Sequence, residues 1–251
     1  GDNAASACGV GAVRPGAAFL SLGTSGVLFV ATDRFRPNAA RAVHAFCHAL
    51  PDTWHQMAVI LAAADSLAWW ARQVGGTPEA LTAELGERPA APSPALFLPY
   101  LGGERTPHDD ATIRGGFAGL GHEADRPALT QAVLEGVAFA FKDGLDALAA
   151  AGSEVEAVTA VGGGARSIFW LHVLASVLER PIRVPAAGDV GAAFGAARLA
   201  MAATGVAADD ALFAPPPTAS VIEPDAALAA AYRERLAAFR ALYPALKSAL
   251  G

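Results

Sequence analysis

The order of the predicted strands and helices is the feature that most limits how this chain can fold. Two apolar, β-prone segments, 18–22 and 27–31, flank the turn 23–26, Gly-Thr-Ser-Gly, which is the pattern of a β-hairpin. A second strand pair is predicted over 43–50 and 54–57. Helix and strand patterns alternate after it, so the order predicts an α/β fold in which helices cover a sheet.

Helix ends and apolar periodicity divide the rest of the chain. Asp125 is a preferred N-cap residue and Pro127 follows it in the first turn, which gives the longest predicted helix a clear start. A proline-rich linker at 214–217 precedes the last helix, and 205–251 is predicted to form a linker and C-terminal helix within one domain. The predicted helices are 4–10, 58–74, 125–150, 167–179, 191–203 and 225–249, and the later strands are 157–161 and 182–184.

Composition excludes several classes of protein. Hydrophobic residues make up 53% of the 251 residues and charged residues 17%, so the chain can bury a core and is not a disordered protein. A net charge of −6 predicts no nucleic-acid partner. Since the chain has no apolar run of about 18 residues, no membrane-spanning helix is predicted. Its two cysteines, Cys8 and Cys47, suit a reducing compartment, so a cytoplasmic location is expected.

The lysines exclude one common way of binding phosphate. Only Lys142 and Lys247 occur, and neither follows a glycine-rich loop, so there is no Walker A motif. The turn 23–26 offers another device, because glycines allow a ligand close to the backbone and turn amides can converge on an anion. The hydroxyls of Thr24 and Ser25 would add donors. A plain hairpin turn explains the same residues and is the commoner case.

Three consecutive glycines, Gly162, Gly163 and Gly164, lie between a predicted strand and a predicted helix. They would leave an open floor for a flat base or a ribose, beside a helix N-terminus that favours negative charge. The GxGxxG dinucleotide pattern is not matched, because Ser167 occupies the sixth position. Close packing of the strand on the helix is an equally good explanation of the glycines.

The pair Asp2-Asn3 precedes the first predicted helix. A carboxylate beside a carboxamide in such a turn could bind a hydroxylated substrate and deprotonate it. An N-cap is the alternative, and spacing alone favours it. The six histidines are scattered, and no metal site is predicted from them. Glu104, Asp109 and Asp110 are dense enough for acid–base chemistry, although a solvated loop is the commoner explanation.

Seven segments, taken together and in order, resemble the C-terminal domain of the FGGY family of carbohydrate kinases. The match covers residues 1–204, and the stretch 99–108 (Pro-Tyr-Leu-Gly-Gly-Glu-Arg-Thr-Pro-His) favours the members that phosphorylate a pentulose. Seven ordered segments are much harder to obtain by chance than one glycine-rich loop. The segments are 1–5, 19–26, 44–48, 99–108, 114–120, 161–167 and 191–197.

This resemblance implies a ribonuclease-H-like fold of the actin, Hsp70 and sugar-kinase type, with a mixed sheet flanked by helices. It implies that 1–251 is the C-terminal nucleotide-binding lobe and that the N-terminal sugar-binding lobe of the same enzyme is not in this sequence. The implied reaction is ATP-dependent phosphorylation of a sugar, with D-xylulose as the expected substrate. The absent lobe would supply most contacts to Mg²⁺, and this chain alone is expected to be inactive.

The resemblance also assigns roles to particular residues. Asp2 matches the catalytic base that takes the proton of the sugar hydroxyl, and Asn3 would lie against the sugar. Ala64 falls where relatives often have a glycine near the nucleotide, whereas the other matching positions lie in a phosphate loop and an adenosine loop. The matching nucleotide-binding positions are Gly23, Thr24, Ala64, Gly163 and Gly164.

Two positions depart from the family pattern, and three arginines are candidates for phosphate contact. Ala128 stands where the family tends to have a polar residue, and Ile168 lies near an asparagine position of glycerol kinases. Arg105, Arg114 and Arg166 are candidates for phosphate contact, although exposed surface arginines are the default. The alternatives are a kinase for another ketose or a polyol, and a non-catalytic actin-like nucleotide-binding module.

A scaffold or homodimerisation lobe is a third alternative. In it, the helices 126–150 and 225–249 would present apolar stripes to a partner.

Overall fold

A computed structural model of the chain describes residues 1–186, 190–205 and 210–250. Residues 206–209 and 251 of the predicted tail 205–251 therefore lie outside the described residues. The helices are α1 Asp2–Val10, α2 Ala64–Val74, α3 Pro78–Glu84, α4 Arg126–Ala150, α5 Ile168–Leu178, α6 Ala192–Ala203 and α7 Ala226–Leu250. The strands are β1 Ala18–Leu22, β2 Gly26–Thr32, β3 His44–Cys47, β4 Trp54–Ile60, β5 Leu96–Leu98, β6 Gly116–Ala118, β7 Val158–Val161, β8 Ile182–Pro185 and β9 Thr218–Ile222.

Seven strands form one mixed sheet in the order β3-β4-β2-β1-β7-β8-β9. β1 and β2 make the predicted antiparallel hairpin, and β1, β7 and β8 run parallel to one another. The remaining neighbours are antiparallel, while β5 and β6 form a separate two-stranded sheet. The prediction of an α/β fold and of its first hairpin is confirmed.

Helices cover both faces of the large sheet. Alternate residues of a strand point to opposite faces, and β1 shows this directly. Phe19 is buried against Ala7 and Val10 of α1, whereas Leu20 and Leu22 belong to the larger core around α4. The side of the sheet that carries α4 also packs α2, α5 and α7, and of these helices α2 and α5 line the candidate site.

The long helix α4 begins as the sequence predicts. The side chain of Asp125 accepts a hydrogen bond of 2.9 Å from the backbone N–H of Ala128, and Pro127 lies in the first turn. The apolar stripes of α4 and α7 meet inside the chain, where Phe139 packs against Tyr232 and Phe239. The hypothesis that these two helices present apolar stripes to a partner is therefore wrong, since the stripes form part of the core.

The structure differs from the predicted elements in several places. Residues 58–60 extend β4 instead of starting a helix, because they pair with β2 up to the partners Gly26 and Ile60. Asp2 and Asn3 lie in the first turn of α1 and not in a turn before it, so Gly1 and not Asp2 is the N-cap residue. α3, β5, β6 and β9 were not predicted.

Candidate nucleotide site at the carboxyl edge of the sheet

Two glycine-rich segments meet at one edge of the sheet because β1 and β7 are parallel neighbours. Ser21 of β1 is paired with Val161 of β7, so both strands end at the same level. The GTSG turn (residues 23–26) follows β1, and the GGG loop (Gly162–Gly164) follows β7. Ligands of open α/β sheets bind beyond the carboxyl ends of such strands.

A cavity of about 710 Å³ opens beside these two segments, and we call it the main cavity. α2 and α3 provide one wall, and the GGG loop with the start of α5 provides another. The five positions that the sequence singled out for a nucleotide come from three distant segments of the chain, yet all of them line this cavity. They are Gly23, Thr24, Ala64, Gly163 and Gly164.

Backbone hydrogen bonds hold the GTSG turn against the start of α2. The carbonyl of Gly23 accepts from the N–H of Ala64 at 2.9 Å, and the carbonyl of Thr24 accepts from Ala63 at 2.9 Å and Asp65 at 3.2 Å. The C=O and N–H of one trans peptide point in opposite directions. The amides of Thr24 and Ser25 therefore point away from α2 and remain, with the Thr24 hydroxyl, as donors for a ligand.

The three glycines of the GGG loop are held differently. Gly162 has φ 92° and ψ 173°, a region that is almost exclusive to glycine. A Cβ on Gly164 would lie 2.8 Å from the ring of Trp170 and 2.9 Å from the Cβ of Leu22. A Cβ on Gly163 would meet nothing within 4 Å. Gly162 and Gly164 are thus required by packing, whereas Gly163 leaves open space beside the cavity.

Of the three candidate arginines, one lines the main cavity and two do not. Arg166 is the one basic residue among the described residues that line it, where Asp65 and Glu79 are the acidic ones. Arg114 instead donates to backbone carbonyls of its own loop, at 2.7 to 3.1 Å. Arg105 lies 3.4 Å from the ring nitrogen of His44. Arg166 is therefore the arginine placed to meet a bound anion.

Asp2 and Asn3 do not line the main cavity. Asp2 is exposed, and its Oδ1 accepts a 2.9 Å hydrogen bond from the Asn3 backbone N–H. The end of α1 at Val10 lies beside the start of β1 at Ala18. Ala7 and Val10 of α1 share a buried cluster with Phe19 of β1 and Val27 of β2, so α1 packs against the hairpin that carries the GTSG turn.

Two other acidic candidates, Asp110 and Glu104, make structural contacts. Asp110 accepts from Tyr243, Lys247 and Thr112, and these donors hold the pKa of its carboxyl well below the usual range. Glu104 is 1% exposed, and burial raises its pKa to about 8. Neither residue lines the main cavity.

Sequence reasoning missed the wall that α3 contributes. Glu79, Thr82 and Ala83 of this helix line the cavity opposite the GGG loop. A local signal was present, because Thr77 followed by Pro78 is the pattern of an N-cap and a first helical residue. The Thr77 side chain indeed accepts from the N–H of Ala80 at 3.2 Å.

The described residues bear on two further expectations. Among them, no group of three or more His, Cys, Asp or Glu side chains is arranged to hold a metal ion. A search of the same residues finds no helix with the length and apolar character needed to cross a bilayer.

The fold and the position of the cavity suit a kinase lobe, and comparison with known proteins shows the family. The model of the C-terminal domain of the FGGY family of carbohydrate kinases matches residues 18–204, and the chain belongs to this family. The chain is 45% identical to the xylulose kinase of Escherichia coli, over 98% of this chain and 51% of that protein. The chain spans about half the length of that protein and of the xylulose kinase of Klebsiella pneumoniae, to which it is 42% identical over 98% of this chain.

Solved structures give the same result. A crystal structure described as a "xyloylose kinase" from Brucella ovis has a TM-score of 0.96 and 60% identity, covering 99% of this chain and 51% of that one. The xylulose kinase of Rhodospirillum rubrum has a TM-score of 0.86 and 32% identity over the same shares. The mixed sheet flanked by helices is thus the actin/Hsp70-like sugar-kinase fold, which confirms the fold implied by the resemblance.

Proposed function

We propose that residues 1–251 form the C-terminal nucleotide-binding lobe of an ATP-dependent pentulose kinase that converts D-xylulose to D-xylulose 5-phosphate. One observation carries the proposal: five positions that family resemblance selected for a nucleotide line a single cavity of about 710 Å³. The xylulose kinases named among its relatives support the choice of sugar. The tail 205–251 belongs to this lobe, since Tyr232 and Phe239 of α7 are 1% exposed.

In this proposal, ATP occupies the main cavity. The amides of the GTSG turn and the Thr24 hydroxyl donate to phosphate oxygens, and Arg166 contributes positive charge. Gly163 and Gly164 form the floor on which adenosine lies, and Ala64 borders the nucleotide at the start of α2. Phosphoryl transfer depends mainly on positioning and charge stabilisation, which this arrangement of donors can supply without a Walker lysine.

Asp2 is the proposed general base, and Asn3 contacts the sugar. An exposed carboxylate is free to approach a substrate hydroxyl, and the helix that carries it packs through Ala7 and Val10 against the hairpin of the GTSG turn, which supports this role. The carboxylate accepts the proton of the attacking hydroxyl as the new O–P bond forms. An N-terminal lobe of the same enzyme completes the cleft and holds most of the sugar.

Magnesium is proposed to enter with ATP. The carboxylates of Asp65 and Glu79 lie at the main cavity, but the described residues offer no cluster of three ligands. Mg²⁺ in kinases typically uses phosphate oxygens and water with only one or two carboxylates, so this sparse donor set fits a shared site. When bound, the ion neutralises phosphate charge.

Two further proposals concern assembly and location. A homodimer stays a prediction, which light scattering of the purified protein tests. Cys8 and Cys47 are both free thiols, which supports a reducing, cytoplasmic location.

The decisive experiment is ADP release from Mg-ATP with a panel of ketoses and polyols, on the chain joined to its N-terminal lobe. We expect rapid turnover with D-xylulose and a loss of about 10³-fold or more in kcat for Asp2→Asn, because the base is removed. Asp52→Asn is the matched control, since Asp52 is an exposed residue at φ 53°, which asparagine tolerates.

Each other outcome points to a specific alternative. Turnover with a different sugar would keep the mechanism and replace the substrate. ATP binding without turnover of any sugar, unchanged in Asp2→Asn, would identify a non-catalytic nucleotide-binding module. Sugar-dependent ADP production by the isolated chain would contradict the expectation that half of the cleft is inactive alone.

A further inference from the structure

Glu104 is a buried carboxyl group for which the proposed reaction has no direct use. It is 1% exposed, and its Oε1 accepts hydrogen bonds from the backbone N–H groups of Leu61 at 3.0 Å and Arg105 at 2.7 Å. Its Oε2 is buried without a partner among the described residues. Burying a carboxyl group in this way is costly, so the contact with Leu61 calls for an explanation.

The loop that contains Glu104 forms hydrogen bonds with β4 where the pairing of the edge strand β3 with β4 ends. β3 pairs with β4 only as far as the partners His44 and Met57. Beyond that point, Thr106 donates its N–H to the carbonyl of Val59 at 3.1 Å and accepts from the Val59 N–H through Oγ1 at 3.0 Å. Glu104 then binds the next N–H on the same side, that of Leu61. The loop thus continues the edge hydrogen bonding of β4 to its very end.

Leu61 lies at the start of the short segment that supports the GTSG turn. Only residues 61–63 separate β4 from α2, and the N–H groups of Ala63, Ala64 and Asp65 donate to the carbonyls of Gly23 and Thr24. Because the connection is so short, holding the backbone of Leu61 restricts the positions of the Ala63, Ala64 and Asp65 amides. A continuous chain of hydrogen bonds and short backbone runs from Glu104 to the turn.

We propose that Glu104 is a positioning residue for the GTSG turn, acting through Leu61 and the segment 61–65. It touches neither nucleotide nor sugar. By holding Leu61, it restrains the segment whose amides bind the Gly23 and Thr24 carbonyls, and so sets the direction of the opposite Thr24 and Ser25 amides toward the phosphates. The inference rests on the proposed function, because it presumes that the turn binds phosphate.

The protonation state of Glu104 agrees with this role and supplies a conservative variant. Burial raises its pKa to about 8, although the two backbone donors and the charge of Arg105 pull it down. At neutral pH the group is therefore mostly the neutral acid. Glutamine has the same shape and keeps the carbonyl oxygen that Leu61 and Arg105 need, so Glu104→Gln should rescue what Glu104→Ala loses.

Glu135 of α4 provides a matched control. It is also 1% exposed, and burial raises its pKa to about 7. It accepts from the N–H of Ser93, from Gln131 and from the Tyr232 hydroxyl, none of which belongs to the GTSG turn or to 61–65. Loss of Glu135 should therefore lower thermal stability without moving the turn.

The test compares Glu104→Ala, Glu104→Asp, Glu104→Gln and Glu135→Ala in the two-lobed enzyme. For Glu104→Ala we expect kcat/KM for ATP to fall about tenfold or more, the equivalent of about 1.4 kcal/mol, with KM for the sugar unchanged. Without nucleotide, the amides of Ala63, Ala64 and Asp65 should exchange hydrogen faster than in the wild type. Glu104→Gln should restore both values, and Glu135→Ala should change neither.

If Glu104→Ala does not fold, Glu104→Asp carries the test, because its side chain is one methylene too short to reach Leu61. The proposal is wrong if the folded Glu104 variants show the amide exchange and the ATP kinetics of Glu135→Ala. A failure of the proposed function would look different. Wild-type enzyme would not bind Mg-ATP, or Thr24→Val would bind it normally, while the amide exchange would still decide whether Glu104 holds the segment.

Discussion

The GTSG turn and the GGG loop border one cavity, yet different forces hold them. The turn is fixed by three N–H groups of another segment, at Ala63, Ala64 and Asp65. The loop is fixed by close packing, with Gly162 and Gly164 pressed against Leu22 and a backbone conformation at Gly162 that other residues avoid. The GTSG turn depends on hydrogen bonds from a segment that is distant in sequence, and the GGG loop depends on the absence of side chains.

The helices α2 and α5, which begin beside the turn and the loop respectively, differ in how their first N–H groups are bonded. α2 has no side-chain cap, because the carbonyls of the GTSG turn occupy its first N–H groups. α5 has a cap of its own, since the Ser167 hydroxyl accepts from the N–H of Trp170 at 3.3 Å. A helix N-terminus near a phosphate site is therefore no proof that its amides bind phosphate. At α2 they are already used.

The largest expected effect lies in the loop. Gly162→Ala should lower the free energy of unfolding by about 3 kcal/mol, the sum of backbone strain at φ 92° and crowding against the carbonyl of Leu22, 2.8 Å from the new Cβ. Urea unfolding of the chain measures the change. Gly163→Ala is the control and should match the wild type. Similar losses in both variants would show that the glycines of the loop are not distinct.

Most of the fold could be predicted because its elements carry local signals. The hairpin of β1 and β2 follows from a glycine-bounded turn between apolar runs, and α4 follows from Asp125 and Pro127. The end of β4 could not be predicted. Residues 58–60 are apolar and continue into a helical pattern, and only their pairing with β2 makes them a strand. Such pairing is a tertiary effect that propensity does not contain.

The second largest expected effect is on nucleotide affinity and not on stability. Gly163→Ala places a methyl group in the open space beside the cavity, so the Kd for Mg-ATP of the two-lobed enzyme should rise about tenfold, the equivalent of about 1.4 kcal/mol. Calorimetric titration measures this. Gly102→Ala is the matched control, because Gly102 is exposed, its Cβ would also meet nothing within 4 Å, and it does not line the main cavity, so the Kd should stay unchanged. Unaltered binding in Gly163→Ala would remove the loop from the nucleotide site.

The candidate site, like the fold, could be predicted from the sequence only in part. From spacing alone, a plain hairpin was the commoner explanation of the GTSG turn, and close packing explained the GGG loop equally well. Family resemblance was needed to select Gly23, Thr24, Gly163 and Gly164. The parallel pairing of β1 with β7 brings them together, and it joins residues about 140 positions apart in the chain, beyond any local pattern. The support from Glu104 was hidden for the same reason.

The smallest expected effect tests the caps. Ser167→Ala removes the hydroxyl that accepts from Trp170, which should lower the free energy of unfolding by about 1 kcal/mol. Ser25→Ala is the matched change in the other segment. It should have no measurable effect, because Ser25 is exposed and main-chain carbonyls already bind the first N–H groups of α2. Equal losses of unfolding free energy in the two variants would mean that a serine hydroxyl supports the GTSG turn as well. The turn and the loop would then not differ in how their helices are capped.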